Sequence, residues 1–314
     1  MSDEHVAAAT CEAFGAAEHQ FETFGGRDVA LGALAVTRVL PVHGKRLVGP
    51  WCFLDRFGPA AFTDRTPMDI GAHPHIGLQT VTWLLDGELV HYDSLGHETL
   101  LRPHAVNVMT SGGGIAHAER TPSTNTGRMN GVQLWVALPD RDRQRSASFQ
   151  HLTEVPIHEQ PSGRVQIFAG SLAGLRSPAM HYSEIFGGEI QIHPQSTLSL
   201  PLEVTYEHAV IVLSGDCTFQ GQPLQERALY YLGANRSEAD FASRRGGRLL
   251  LIGGPPFPET ILMWWNFVAR TPREIADART DWEERQRFGD VSGYAGPRLA
   301  APDLARFARA NPAS

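Results

Sequence analysis

Short apolar runs, rich in β-branched and aromatic residues and closed by turn residues, recur along most of this chain. Val29, Leu31, Leu34-Ala35-Val36 and Val39-Leu40-Pro41 come first, and Trp51 to Leu54 then runs into an Asp55-Arg56-Phe57-Gly58-Pro59 turn. Thr80 to Leu85 meets Asp86-Gly87, a hairpin signal, and Glu88 to Tyr92 reads as the returning strand. Val106 to Met109 follows, then Val132 to Pro139, which alternates before turning wholly apolar. Strand spacing puts Gln133 and Trp135 on one face. The same grammar returns in Val165 to Ala169, Glu189 to Ile192, Thr197 to Leu202, Ala209 to Leu213 and Cys217-Thr218-Phe219. Val81 to Glu88 and Val210 to Asp216 are both apolar strands running into a glycine turn, a faint repeat that predicts two copies of one all-β unit.

Between the copies, Pro139-Asp140-Arg141-Asp142-Arg143-Gln144-Arg145 reads as a charged, solvated linker. One helix is predicted from Thr271 as N-cap, Pro272 in the first turn and Glu274 three residues after the cap. Ile275, Ala278 and Trp282 fall on its packing face, which is expected to lie across a barrel, and Gly289 is its predicted stop. The resulting division is an arm over 1–24, flexible or briefly helical, a β domain over 25–140 and a second over 141–290. A tail over 291–314, with Pro297, Pro302 and Pro312, is loosely ordered or wraps the surface.

Composition restricts the partners. A hydrophobic content of 42% over 314 residues is ample for two cores. A formal net charge of -7 offers no electrostatic footprint for direct nucleic-acid binding. Cys11, Cys52 and Cys217 are few, odd in number and far apart, which predicts a reducing compartment and no disulfide framework. Met1 to His19 carries Asp3, Glu4 and Glu12 and no basic region before an apolar core, so it reads as neither signal nor transit peptide. No run approaches the length that spans a bilayer. A cytoplasmic protein without a membrane partner is expected.

Two short segments carry the candidate chemistry: Asp69-Ile70-Gly71-Ala72-His73-Pro74-His75-Ile76-Gly77 and Gly114-Ile115-Ala116-His117-Ala118-Glu119. Residues two apart in a strand share a face, so His73 and His75 project together, and His117 and Glu119 repeat that spacing. On neighbouring strands, three imidazoles and one carboxylate would converge into a metal site. Two such pairs flanking a hairpin are far more specific than a lone His-x-His. The donor set suits a divalent transition metal (Fe, Mn, Co, Ni or Cu) better than Ca or Mg, and it is unlike Cys-rich structural zinc. Four protein ligands on an octahedral ion leave two positions for substrate and dioxygen.

Neighbouring residues read more plainly. Pro74 cannot donate to a ladder, so its strand lies at an edge or a strand entry. Ser111-Gly112-Gly113-Gly114 must take unusual backbone angles or admit a close approach, and is expected to leave room beside the metal. His91, His97 and His104 are read as solvent-facing hairpin residues, in preference to a second metal or a proton relay. Asp55 and Arg56 are read as an ion pair fixing their own loop. The second unit offers only Glu203, Glu207 and His208 ahead of its repeat strand, so it is expected to hold no metal.

The segment Gly49-Pro50-Trp51-Cys52-Phe53-Leu54-Asp55-Arg56-Phe57-Gly58-Pro59, followed by His73-Pro74-His75 and by Gly114 to Glu119, closely resembles the pirins, a branch of the cupin superfamily. The likeness is strong over about 25–140 and weaker to about 290. It implies a bicupin, two antiparallel β-barrels of jelly-roll type, with metal in the N-terminal one alone. It maps the ligands onto His73, His75, His117 and Glu119, with iron as the usual metal and Mn, Ni, Co, Cu or Zn as alternatives. It also places the strand bearing Gln133 and Trp135 along the cavity. Two departures concern the substrate more than the metal. Gln79 stands where pirins usually carry a Glu beside the metal or lining the cavity. The usual Pro-Gly-Asp turn reads Pro103-His104-Ala105.

Some pirins resemble quercetin 2,3-dioxygenases, which implies a metal-dependent dioxygenase cleaving quercetin or a related flavonol with O2. There the metal would act as Lewis acid toward the ionised substrate hydroxyl, and Glu119 would be ligand and base together. Other pirins are regulatory partners, which implies the alternative: a metal- or redox-sensing protein that binds another protein without catalysis. A metal-dependent isomerase or lyase shares the scaffold. Open ligand positions favour the enzyme.

Overall fold

Alternating apolar and polar residues become sheet almost everywhere in the computed structural model, which describes residues 7–9, 21–31, 34–61 and 68–304. A seven-stranded sheet runs in the order Ser148–Leu152, Val106–Thr110, Leu78–Asp86, Arg128–Ala137, Trp51–Ala61, Leu34–Leu40, Arg27–Leu31. Against it lies a four-stranded sheet in the order Asp69–His75, Ile115–Arg120, Leu89–Asp93, Glu98–Leu101. Ile70, Leu89 and Leu101 of the second pack with Val36, Phe57, Leu84 and Met129 of the first. This pair of antiparallel sheets is the first jelly-roll unit.

The second unit is a ten-stranded sheet around its own core of Val165, Ile190, Leu198, Phe219, Phe241 and Leu251. Among the described residues the chain is therefore all-β with two cupin units and one helix. The sheet faces of the two units also share a core, including Trp51, Val81, Trp83, Phe168, Ile211 and Leu250. The Trp51 indole N–H donates to the carbonyls of Phe186 and Gly253, at 3.1 and 3.0 Å. The Trp83 indole donates to Glu189 at 2.8 Å. Leu78–Asp86 is buried along all but its last residue because one face meets the second unit and the other meets the first unit's interior.

Several segments cross between the units. Ser148–Leu152, beyond the charged run, pairs with Val106–Thr110 and completes the first sheet. Glu22–Gly25 pairs with Ala228–Gly233 of the second unit, and Ala7–Ala9 is a short strand against Ile261–Met263 rather than part of a helix. After the second unit the chain returns to the first. Val268 N–H donates to the Ile76 carbonyl at 3.0 Å, and Leu299 N–H to that of Ala72 at 2.8 Å. This contact covers the free edge of Asp69–His75, the edge strand that Pro74 demanded.

The helix is Pro272–Glu283, with Thr271 accepting from the Glu274 N–H and with Ile275, Ala278 and Trp282 buried, as its sequence dictates. It stops before Gly289: Glu284 caps it and Arg285 takes the left-handed conformation, at φ 57°. The Asp55–Arg56 pair does not form. Adjacent strand residues point to opposite faces, so Asp55 meets Arg38 inside the first unit at 2.7 and 2.8 Å. Arg56 turns to the second unit, donating to the Leu213 carbonyl at 2.6 Å and to Glu226 at 3.1 Å. Cys11 and the tail beyond residue 304 lie outside the described residues.

Candidate metal centre

Asp69–His75 and Ile115–Arg120 are neighbours, with His73 opposite His117 and a bulge between His117 and Glu119. Cross-strand pairing therefore brings the two sequence-spaced pairs to one sheet face. His73, His75, His117 and Glu119 all line one cavity. The ring centroids of His73 and His117 are 4.3 Å apart, those of His75 and His117 4.9 Å, and those of His73 and His75 5.1 Å.

The backbone sets the imidazoles' orientation. His73 Nδ1 lies 2.8 Å from the Gly71 carbonyl, and His75 Nδ1 3.0 Å from that of Asn266. Each ring then carries its proton on Nδ1 and turns the Nε2 lone pair inward, the arrangement that outer hydrogen bonds impose on metal-binding histidines. His75 Nε2 and His117 Nε2 face each other at 3.0 Å. Two nitrogens each about 2.1 Å from one ion, and at right angles about it, stand at that separation. That spacing fits a shared cation, and without one a proton on His117 Nε2 can bridge the pair. The three histidines could hold one metal ion.

Burial sets the charges. Desolvation pulls His73 down to about 3 and holds His75 and His117 well below their ordinary value, with neighbouring imidazoles adding to the effect. All three are neutral at physiological pH, the form that binds metal. Burial pushes the Glu119 carboxyl up to about 7.

The cavity, of about 40 Å³, has apolar walls from Val36, Phe53, Phe57, Met68, Ile70 and Trp135. Trp135 stacks on Phe53, centroids 4.0 Å apart, and meets the His75 ring edge-on at 5.2 Å. Gln133 also lines it, its carbonyl accepting from the Thr82 hydroxyl at 2.8 Å. Gln79 does not. It shares its strand face with Val81 and Trp83, and its amide nitrogen donates to Thr110 Oγ1 at 2.9 Å and to the Met180 carbonyl at 3.1 Å. The glycine loop does not border the cavity either. Gly112, at φ +50°, is where the Arg145 carbonyl approaches so closely that a Cβ would sit 1.9 Å from it.

His91 corrects its solvent-facing assignment. It is 3% exposed, stacks on Phe149 at 4.2 Å and bonds Asp93 through Nε2 at 3.1 Å. Its ligand atoms lie within 4.8 Å of those of His117 and Glu119. His97 binds the same Asp93 from a more exposed position, and His104 bonds Gln166 in the second unit. Three site residues escaped the sequence. Asp55 and Asn266 line the cavity, and His91 adjoins it. Asp55 left a signal, because a lone acid in one apolar strand and lone Arg38 in another suggest a buried pair. Asn266, inside an aromatic run, left none.

Among the described residues, clusters able to hold a metal occur only in the first unit. In the second, the Glu207 carboxylate accepts from the Gly49 N–H at 2.7 Å and from the Tyr231 hydroxyl at 2.8 Å, an inter-unit contact. No helix of the described residues is long and apolar enough to cross a membrane.

Two cupin units, with a buried three-histidine cluster in the first alone, define a class: bicupins with one candidate metal centre. The particular family is the pirins, and this chain belongs to it. The family's pirin domain matches residues 33–136 and its pirin C-terminal cupin domain matches 188–289. A Pseudomonas aeruginosa protein provisionally named quercetin 2,3-dioxygenase is 39% identical over 91% of both chains. A pirin-like protein of Caulobacter vibrioides is 38% identical, covering 85% of this chain and 95% of that one. The crystal structure of a quercetin 2,3-dioxygenase from Acinetobacter baumannii superposes with a TM-score of 0.88 at 37% identity, over 90% of this chain and 95% of that one.

Proposed function

We propose that this protein is a metal-dependent dioxygenase that opens a flavonol, quercetin or a related 3-hydroxyflavone, with O2. His73, His75, His117 and Glu119 would hold one divalent transition metal, iron first among those that suit three imidazoles and a carboxylate. One observation carries the reading: three neutral imidazoles and a carboxylate stand at a cavity with aromatic and aliphatic walls. The names of the Pseudomonas and Acinetobacter relatives support the same chemistry. The buried free thiols of Cys52 and Cys217 support a cytoplasmic setting.

When bound, the metal would supply a Lewis acid for the substrate's ionised hydroxyl. The chain's own residues supply the rest. The Gly71 and Asn266 carbonyls fix His73 and His75. Glu119, which must be ionised to hold the metal, is the carboxylate placed to take the hydroxyl proton. Phe53 and Trp135 offer a flat apolar wall that keeps water from the reacting edge. A cavity of about 40 Å³ has room for only a few water-sized groups, so the hydroxyl-bearing edge enters and the remaining rings sit at the mouth.

Metal-loaded protein should bind quercetin without oxygen and red-shift its spectrum as the hydroxyl ionises. Admitting oxygen should bleach that spectrum with stoichiometric oxygen uptake, and His75→Ala should abolish both steps. Loaded protein that neither binds quercetin nor consumes oxygen would defeat the proposal.

A further inference from the structure

Asn266 reaches the metal cavity from the far end of the chain. It sits in the two-residue turn between Ile261–Trp264 and Phe267–Ala269, where Trp264 pairs with Phe267. It is 1% exposed and lines the cavity, yet its side-chain nitrogen, Nδ2, has no hydrogen-bond partner among the described residues. A buried amide donor without an acceptor is costly and rare, and it calls for an explanation.

Turn preference does not supply one. Asn is common in turns because it tolerates left-handed backbone angles. Here the left-handed residue is its neighbour Trp265, at φ 52°, held there by burial against Phe267 and Trp282. A bulky residue in that region is strained, and such strain gathers where a site must be held in place. The same turn fixes the metal-binding edge, since the Asn266 backbone carbonyl holds His75 Nδ1. The backbone thus orients a histidine, while the side chain, at the cavity lining, keeps an unspent N–H.

We infer that Asn266 is the specificity-determining donor of the site, and that its side chain selects ligands carrying a carbonyl oxygen beside an acidic hydroxyl on a planar ring. The hydroxyl edge meets the histidines and Glu119, and the adjacent carbonyl accepts from Asn266. A second amide lines the same cavity. The Gln133 carbonyl is committed to Thr82, so its nitrogen is the part of that amide left to serve a ligand. Two amide donors in one cavity with apolar walls suit a cyclic hydroxy-ketone better than a phenol without the carbonyl. The inference rests on the metal-centred reading above and specifies which oxygens the site reads.

The test is anaerobic spectral titration of metal-loaded protein with 3-hydroxyflavone, with maltol (a small hydroxy-ketone lacking the flavone body) and with 1-naphthol. Asn266→Asp keeps the shape and removes the donor. It should weaken 3-hydroxyflavone and maltol by about tenfold or more, with Asn266→Ala in between. In Asn266→Ala, which adds no charge, binding of 1-naphthol and metal content should stay at the wild-type level, because a backbone carbonyl and not the side chain holds His75. Maltol bound in an Asn266-dependent way while 3-hydroxyflavone is refused would sustain this inference and sink the flavonol proposal. Equal maltol affinity in wild type and Asn266→Asp would overturn it. So would an equal loss for 1-naphthol in Asn266→Ala, loss of metal from both variants, or a wild type that binds neither hydroxy-ketone.

Discussion

The two units of this chain are built from the same strand grammar and filled differently. In the first, three imidazoles, two carboxylates and two carboxamides surround a cavity. In the second, the corresponding space is packed with Val165, Ile190, Phe219, Phe241 and Leu251. Buried ionisable groups are costly, and a close-packed apolar interior stabilises. A duplicated fold can divide those burdens, with one copy carrying the chemistry and the other the rigidity. The second unit also lends its sheet face to the shared core, and the chain beyond it closes the first unit's open edge.

The largest expected effect tests whether the metal belongs to one unit. His117→Ala should lower metal affinity by about a hundredfold or more, since even outer partners of metal ligands are worth about ten- to a hundredfold. His208→Ala, in the second unit, should leave it unchanged. Chelator competition measures both, and metal loss from the His208 variant would erase the contrast.

A second experiment compares a filled interior with a hollow one. Phe241→Ala should cost about 3–5 kcal/mol in urea unfolding, while Ile70→Ala, beside an existing cavity, should cost about 2 kcal/mol or less. Equal costs would mean that both interiors are packed alike. Gln79→Glu should destabilise by about 2–3 kcal/mol, because it removes two donated hydrogen bonds at a buried inter-unit position. Metal preference should not move. A shift would show that the strand face opposite the cavity still governs the centre.

The last expected effect is a pH slope. In metal-free protein His73 sits near 3, and His181 and His208 near 4, all lowered from 6.5 by burial. The unfolded chain takes up those protons first, so stability is complete above about 6.5 and falls as pH drops toward 4. Glu119 acts the other way: raised from 4.5 to about 7, it contributes stability that is lost as pH rises through that window. The histidines outnumber it, so acidification should destabilise overall. Metal uptake should strengthen by about tenfold per pH unit below 7, as Glu119 gives up its proton, and then level off. Glu119→Gln should flatten that slope.

The strands, the helix start and the two ligand pairs were legible because each depends on spacing within a few residues. His73 and His75 share a face by strand parity alone, but their neighbour Ile115–Arg120 was not legible from the turn between: the strands on either side of Asp86-Gly87 do not pair as the expected hairpin and belong to different sheets. The same parity would have placed His91 and Asp93 inside with Leu89, and Gln79 outside the cavity with Val81 and Trp83. The remainder depends on contacts far apart in sequence. The strand at Ser148–Leu152 and Asn266 behind His75 are set by which segments the fold brings together, and no local pattern encodes that.

The central claim is that one metal lies in the first unit and none in the second. Anomalous diffraction from crystals of the protein purified with iron, recorded on both sides of the iron absorption edge, tests it most directly. The account predicts a single peak per chain, enclosed by His73, His75, His117 and Glu119. A peak within the second unit, or none in the first from protein shown by elemental analysis to contain iron, would contradict it.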